Sequence, residues 1–254
     1  MKVIAHRGAS KYCPQNTIPA FRLAVEQGAD GIETDVHLTK DGEIVLCHDY
    51  TIDATSNGTG DVNEMTLEEL RQYDFGSYKG EEFLGTKIPT LEELLEVVKD
   101  LEIINIEIKP PRKDLKLIVS KTLEVFERFG LTSKLFLSSF DVDVLLMVKK
   151  LNPQVKTGLL YSIREVETPF LQELLDDPFV FASKYSVDAM NPFVMMIGED
   201  FMDEAHEAGF EVYPWTTNTA EAVEALLDIG CDGVITDVPD VARAVIDAQS
   251  NCAG

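Results

Sequence analysis

Gly28-Ala-Asp-Gly-Ile-Glu-Thr-Asp35 and Gly230-Cys-Asp-Gly-Val-Ile-Thr-Asp237 repeat one pattern, and each follows a helical run, AFRLAVEQ at 20–27 and AVEALLDI at 222–229. Each copy reads as a helix, a glycine that ends it, and a β-strand. Gly28 and Gly230 fall where a helix end favours a left-handed residue, so structure alone explains them. Glu33 is different. Ile235 stands at its place in the second copy, so the repeat does not account for the carboxylate.

The same rhythm extends over the chain. Short β-branched runs occur at VIAH 3–6, GIETDV 31–36, IINIEIK 103–109, KLFLSS 134–139, KTGLLYS 156–162, VDAMN 187–191, FEVYPW 210–215 and DGVITD 232–237. Strands alternating with helical periods argue a parallel sheet. Eight units of about 32 residues suit an α/β fold of the (β/α)8 TIM barrel type, with a doubly wound open sheet as the competing arrangement. Residues 49–88, roughly forty in all, break the rhythm and far exceed an ordinary connection. Two capping boxes, Thr66-x-x-Glu69 and Thr90-x-x-Glu93, open helices over TLEELRQY and LEELLEVV. In a barrel such an insertion after the second strand lies on the C-terminal face, where active sites are built.

Composition narrows the partners. The 254 residues hold 22 Lys+Arg against 45 Asp+Glu, a net charge of −23, with 45% hydrophobic residues. The chain is therefore expected to be a soluble globular protein, and its charge repels nucleic acid. Its start, MKVIAHRGAS, lacks the apolar core of a secretion signal, and no window reaches a membrane span. The mature chain is expected to begin at Met1 and to form one domain over 1–254. Cys13, Cys47, Cys231 and Cys252 lie far apart without a CxxC pair, and they read as free thiols in a reducing cytoplasm.

Strand parity puts Glu33 and Asp35 on one face, and in the next run it groups Asn105, Glu107 and Lys109. Buried carboxylates need compensation. Three acidic oxygen donors from two strands suit Mg²⁺ or Ca²⁺; ion pairing with Lys109 or Arg7 is the structural alternative. The Lys40-Asp41-Gly42-Glu43 turn marks a hairpin. A two-residue loop there sets His48 opposite Asp35, and a three-residue loop moves the register by one. His37 shares the parity of Asp35 but lies nearer the turn, where a solvated strand residue is the preferred reading over a site role. His6 ends the first strand, so two histidines approach three acids, as acid/base catalysis at neutral pH requires. Arg7 and Lys109 either neutralise those acids or hold a phosphate. Asn16 or Thr17 serves as a helix N-cap.

These residues resemble the glycerophosphodiester phosphodiesterases, among the barrel phosphodiesterases that include phosphatidylinositol phospholipase C. IAHRGA at 4–9, PQNT at 14–17, ADGIETDVHLTKDGEIVLCHD at 29–49, INIEIK at 104–109, YPWTTN at 213–218 and DGVITD at 232–237 carry the likeness. It implies a (β/α)8 barrel, an insertion at 49–88, and metal-dependent hydrolysis of a small glycerophosphodiester to glycerol 3-phosphate and an alcohol. By the same resemblance Glu33, Asp35 and Glu107 bind one divalent ion, Mg²⁺ or Ca²⁺. His6 and His48 form the acid/base pair, Arg7 and Lys109 contact the phosphate, and Trp215 walls the pocket, ordinary packing being the alternative for Trp215. Gln15 departs from the family's PENT: it is nearly isosteric with Glu and accepts a hydrogen bond, but brings no charge. A lysophospholipase D acting on lipid-chain diesters and a non-catalytic phosphodiester-binding barrel are the alternatives.

Overall fold

Apolar strands and amphipathic helices alternate through the computed structural model, which describes residues 1–110, 114–162, 171–198 and 200–252. The strands are β1 (Lys2–His6), β2 (Gly31–Leu38), β3 (Ile44–Leu46), β4 (Ile103–Ile108), β5 (Leu135–Ser139), β6 (Lys156–Tyr161), β7 (Ala189–Pro192), β8 (Glu211–Val212) and β9 (Gly233–Thr236). The helices are α1 (Ile18–Glu26), α2 (Leu67–Leu70), α3 (Leu91–Val98), α4 (Leu115–Arg128), α5 (Val142–Leu151), α6 (Leu171–Asp176), α7 (Pro178–Lys184), α8 (Phe201–Glu207), α9 (Ala220–Asp228) and α10 (Pro239–Cys252). Eight strands lie parallel in the order β8-β7-β6-β5-β4-β2-β1-β9, and β3 pairs with β2 alone. Ile235 N–H donates to Pro214 O at 2.9 Å and Thr217 N–H to Ile235 O at 3.0 Å. These bonds bring the stretch after β8 against β9 and nearly close the barrel, which decides between barrel and open sheet.

Burial follows strand parity. Ile104, Ile106 and Ile108 pack outward with Ile32, Val36 and Phe126, whereas Ile4, Phe136, Tyr213 and Ile235 form a smaller cluster. Glu33, Asp35, Asn105 and Glu107 are buried too, on the face opposite the isoleucines. β8 stops two residues before Pro214, which has no N–H to extend a ladder. Gly28 and Gly230 end their helices at φ +76° and +84°.

The hairpin departs from the two-residue reading. Val36 pairs with Leu46, His37 with Val45 and Leu38 with Ile44, and Thr39 N–H donates to Glu43 O at 2.9 Å. The loop is therefore the three residues Lys40-Asp41-Gly42. Gly42 takes φ +82°, the left-handed position of a three-residue hairpin loop. Cys47, not His48, thus faces Asp35, and Cys47 N–H donates to Asp35 O at 3.1 Å.

Both capping boxes form: Thr66 and Thr90 each accept from the N–H of the glutamate three residues on, whose carboxylate accepts from the threonine N–H. The 49–88 stretch has its own apolar cluster, Ile52, Val62, Leu70, Phe75 and Ile88, resting on Val45 and Cys47. It reaches the loop after β1 at two points. Gln15 N–H donates to Tyr78 Oη at 3.0 Å, and Lys79 Nζ to Ser10 O at 2.8 Å. Cys13, Cys47 and Cys231 are buried free thiols; the Cys252 side chain lies outside the described residues. No described helix is long and apolar enough to cross a membrane.

Candidate active site

Parallel pairing sets β2 beside β4 with Glu33 opposite Asn105 and Asp35 opposite Glu107. Ligand oxygens of Glu33, Asp35 and Glu107 consequently lie within 4.8 Å of one another, all buried. Lys109 Nζ reaches Asp35 Oδ1 at 3.0 Å and Glu107 Oε1 at 2.5 Å. Arg7, at φ +57°, turns back over the strand ends and brings Nε to 3.3 Å from Asp35 Oδ2. Its Nη1 donates to Gln15 Oε1 at 2.6 Å, so the uncharged replacement still orients the guanidinium.

The charges are shared unequally. Burial opposes ionisation of Asp35, but Lys109 and Arg7 outweigh it and hold the carboxyl well below its ordinary value. Burial, with Asp35 and Glu107 alongside, pushes Glu33 well above its own. Glu107 is raised to about 7, first by burial, with Asp35 adding to it and Lys109 opposing. Burial would also lower the Lys109 ammonium, but Asp35 and Glu107 hold it above its ordinary value.

His6 and His48 come to the same cleft. His6 Nδ1 lies 2.6 Å from Asp237 Oδ1 and its Nε2 3.9 Å from Glu33 Oε2. His48 Nδ1 lies 2.6 Å from Asp49 Oδ1. Burial lowers both imidazoles; Arg7 adds to this at His6, and at His48 Asp35 opposes it. His6, Arg7, Glu33, His48 and Glu107 line a cleft of about 100 Å³ together with the apolar Phe140, Leu160, Trp215 and Ile235. Trp215 Nε1 donates to Asn191 O at 2.8 Å, and Phe140 and Phe193 meet the ring edge-on. A larger hollow of about 710 Å³, lined by residues of α3, α4 and the hairpin turn, contains none of these groups.

Residues 6–241 match the glycerophosphoryl diester phosphodiesterase family. A glycerophosphodiester phosphodiesterase from Caldanaerobacter subterraneus subsp. tengcongensis is 40% identical over 239 residues, 94% of each chain. The chain belongs to this family. Another glycerophosphodiester phosphodiesterase, from Bacillus altitudinis, is 33% identical over 248 residues, 96% of each chain. A phosphodiesterase from Oleispira antarctica, solved with its product sn-glycerol-3-phosphate, shares the fold at a TM-score of 0.85 and 29% identity, over 97% of each chain.

The donor set of this phosphodiesterase-family cleft fits a hard divalent cation. Three carboxylates supply the oxygens, and Asp35 Oδ1 and Glu107 Oε1 are buried without a hydrogen bond of good geometry, although Lys109 is near. Two sequence expectations change here. His37 is buried, not solvated: its ring meets Tyr50 edge-on and its Nε2 lies 3.4 Å from His48 O. Burial lowers its imidazole to about 4. Thr17 does occupy the N-cap of α1, but its hydroxyl donates to Pro14 O, while Asn16 Nδ2 donates to Asp35 Oδ2 at 2.9 Å.

Sequence reasoning passed over Asp237, Ser10 and Asn218. Ser10 Oγ donates to Asp237 Oδ1 at 2.9 Å and Asn218 Nδ2 to Asp237 Oδ2 at 2.6 Å. The available signal was the echo itself, since Asp237 occupies in the second copy the place of Asp35 in the first.

Proposed function

We propose that this chain hydrolyses glycerophosphodiesters to sn-glycerol 3-phosphate and an alcohol, using one divalent ion, Mg²⁺ or Ca²⁺, and a histidine acid/base pair. The observation that carries this reading is the meeting of the Glu33, Asp35 and Glu107 cluster with His6, His48 and Arg7 around one cleft. When fully ionised, the three carboxylates against Arg7 and Lys109 leave one negative charge. A divalent ion converts that to a single positive charge, which matches a monoanionic diester.

Glu33, Asp35 and Glu107 would hold the ion, which as a Lewis acid would neutralise phosphate oxygens and favour ionisation of a nearby hydroxyl. Arg7 and Lys109 stabilise the charge that builds on the phosphoryl oxygens, the guanidinium with a fork of donors fixed by Gln15. One histidine takes the proton of the attacking hydroxyl, either the glycerol 2-hydroxyl or water, and the other gives a proton to the departing alcohol oxygen; where the 2-hydroxyl attacks, the cyclic phosphate it forms is then opened by water with the two proton transfers reversed. Trp215 contributes an apolar surface to the cleft.

Residues 1–254 form one barrel domain on this reading, with 49–88 an insertion on the C-terminal face. The bonds from Gln15 to Tyr78 and from Lys79 to Ser10 support this placement, since both reach the loop that carries Arg7. The buried free thiols favour the cytoplasm. A lysophospholipase D activity is the second reading, and the apolar wall of Phe140, Leu160, Trp215 and Ile235 favours it.

Release of glycerol 3-phosphate from glycerophosphocholine and glycerophosphoethanolamine tests the proposal, before and after EDTA and with Mg²⁺, Ca²⁺ or Mn²⁺ restored. Turnover lost to EDTA and restored by an ion is the expected result. Choline release from lysophosphatidylcholine alone would move the assignment to the lipid-chain diester. No release from any of these by folded protein would leave a phosphodiester-binding barrel.

A further inference from the structure

We propose that Asp237 is a positioning residue for His6, fixing the neutral imidazole with its proton on Nδ1 and its bare Nε2 turned toward the cleft. This rests on the reading of His6 as an acid/base group. Asp237 follows β9 directly, and it is anchored from two parts of the chain, the end of β1 with the loop after it and the stretch after β8. His6 Nδ1 and Ser10 Oγ lie 2.6 and 2.9 Å from Oδ1, and Asn218 Nδ2 lies 2.6 Å from Oδ2. The backbone is held as well: Asp237 N–H donates to Asn218 Oδ1 at 2.8 Å, and Lys11 N–H to Asp237 O at 3.1 Å.

A carboxylate in this setting can only accept. Ionised carboxylates have no proton to donate, so the 2.6 Å contact with His6 requires the proton on Nδ1. Burial works against ionisation of Asp237, but its bonds from His6, Ser10 and Asn218 hold the carboxyl at about 2. With Nδ1 committed, Nε2 is the ring nitrogen left for proton transfer, and it is the one that faces Glu33. His48 is served differently. Its carboxylate partner, Asp49, is the next residue and its side chain is 46% exposed, so it turns with the same stretch of backbone, whereas Asp237 braces the His6 ring from the neighbouring strand.

The arrangement also gives a use to two sequence blocks that the metal and phosphate groups leave unexplained. YPWTTN supplies Asn218 and DGVITD supplies Asp237, on the two stretches whose backbone bonds close the barrel. Closure of the barrel and orientation of His6 are thus coupled through one carboxylate.

Asp237→Asn is nearly isosteric. With its carbonyl kept on Asn218, the new amide nitrogen faces His6 Nδ1 and donates to it, which moves the imidazole proton to Nε2. Histidine-selective ¹⁵N NMR is expected to show the neutral His6 ring as the Nδ1–H form in the wild type, and a shift toward Nε2–H in the variant. In parallel, kcat should fall by about 10²–10⁴ with KM changed by less than about threefold, as for loss of an interaction made in the transition state. A His6 ring that stays Nδ1–H in Asp237→Asn, with kcat within about threefold of wild type, would overturn the proposal. If Asp237→Asn does not fold, Asn218→Ala and Ser10→Ala decide. They remove supports of Asp237 without touching His6, and wild-type kcat with an unchanged His6 tautomer in both would overturn it equally. Absence of wild-type glycerol 3-phosphate release would sink the activity reading alone, because the NMR measurement needs no turnover.

Discussion

Asn16 Nδ2 stands 2.9 Å from Asp35 Oδ2, and Asn16 Oδ1 accepts from Thr34 Oγ1 at 2.7 Å. One side chain in the loop before α1 thereby grips two neighbouring residues of β2, one of them a candidate metal ligand. Asn16 adopts φ +56° to do so, a conformation that asparagine tolerates better than most residues.

Two substitutions separate these contributions. Asn16→Gly keeps the left-handed backbone and loses the hydrogen bond to a buried charge, at a cost of about 1.5–3 kcal/mol. Asn16→Ala loses the bond and adds about 1–2 kcal/mol of left-handed strain. The expected order of melting temperature is wild type, then Gly, then Ala, with about 2–4 °C for each kcal/mol. A glycine variant that melts with the wild type would show that the contact to Asp35 contributes nothing to stability.

Lys109 bridges Asp35 and Glu107 where both are buried. Lys109→Met leaves the two carboxylates facing each other, and breaking a buried pair in this way costs about 3–5 kcal/mol. A divalent ion should recover part of that loss by replacing the missing positive charge. Thermal melts with EDTA and with added Mg²⁺ or Ca²⁺ are expected to show a larger rise for Lys109→Met than for the wild type. No rise in either protein at millimolar ion would count against the carboxylate cluster as a metal site.

His6→Ala and His48→Ala are each expected to lower kcat by about 10²–10⁴, with the protein still folded. Burial lowers both imidazoles, which favours the proton-accepting form of the histidine that acts as base, while the acid partner must carry its proton to the leaving oxygen. Steady-state kinetics on glycerophosphocholine provide the check. Turnover close to wild type in both single variants would remove the acid/base assignment and leave the charged groups as the main source of rate.

The barrel was legible because its eight strands keep their apolar parity, and the carboxylate cluster because Glu33, Asp35 and Glu107 share it. Hairpin register was not, since Asp41-Gly42 serves a two-residue or a three-residue loop equally well. That one-residue difference decides whether Cys47 or His48 faces Asp35. Asp237 was hidden for another reason. Its contact with His6 spans 231 residues, and no local spacing encodes which side chains meet where the two ends of a barrel come together. Asn16 was one of two candidates for the helix N-cap, and only the tertiary position of Asp35 shows what its side chain holds.

Asp74 braces the insertion from within, and its effect should depend on pH. Its carboxylate accepts from the N–H groups of Gly85, Ser77 and Gly76. Those bonds, Gly85 first, hold its pKa at about 2, below the roughly 3.9 of an unfolded aspartate. Because the folded value is the lower one, the stabilisation is complete above about pH 5 and is lost as pH falls through 4 toward 2. Urea unfolding of wild type and Asp74→Asn at pH 7, 5, 4 and 3 should show a gap between the midpoints that is constant down to about pH 5 and narrows below it. A gap as wide at pH 3 as at pH 7 would mean that the charge on Asp74 is not what stabilises the loop. The same loop carries Tyr78 to Gln15, the acceptor for Arg7. Asp74→Asn is therefore also expected to raise KM at pH 7 by a few fold while changing kcat less, since a loosened Tyr78 weakens the support of Arg7 and leaves the histidines in place.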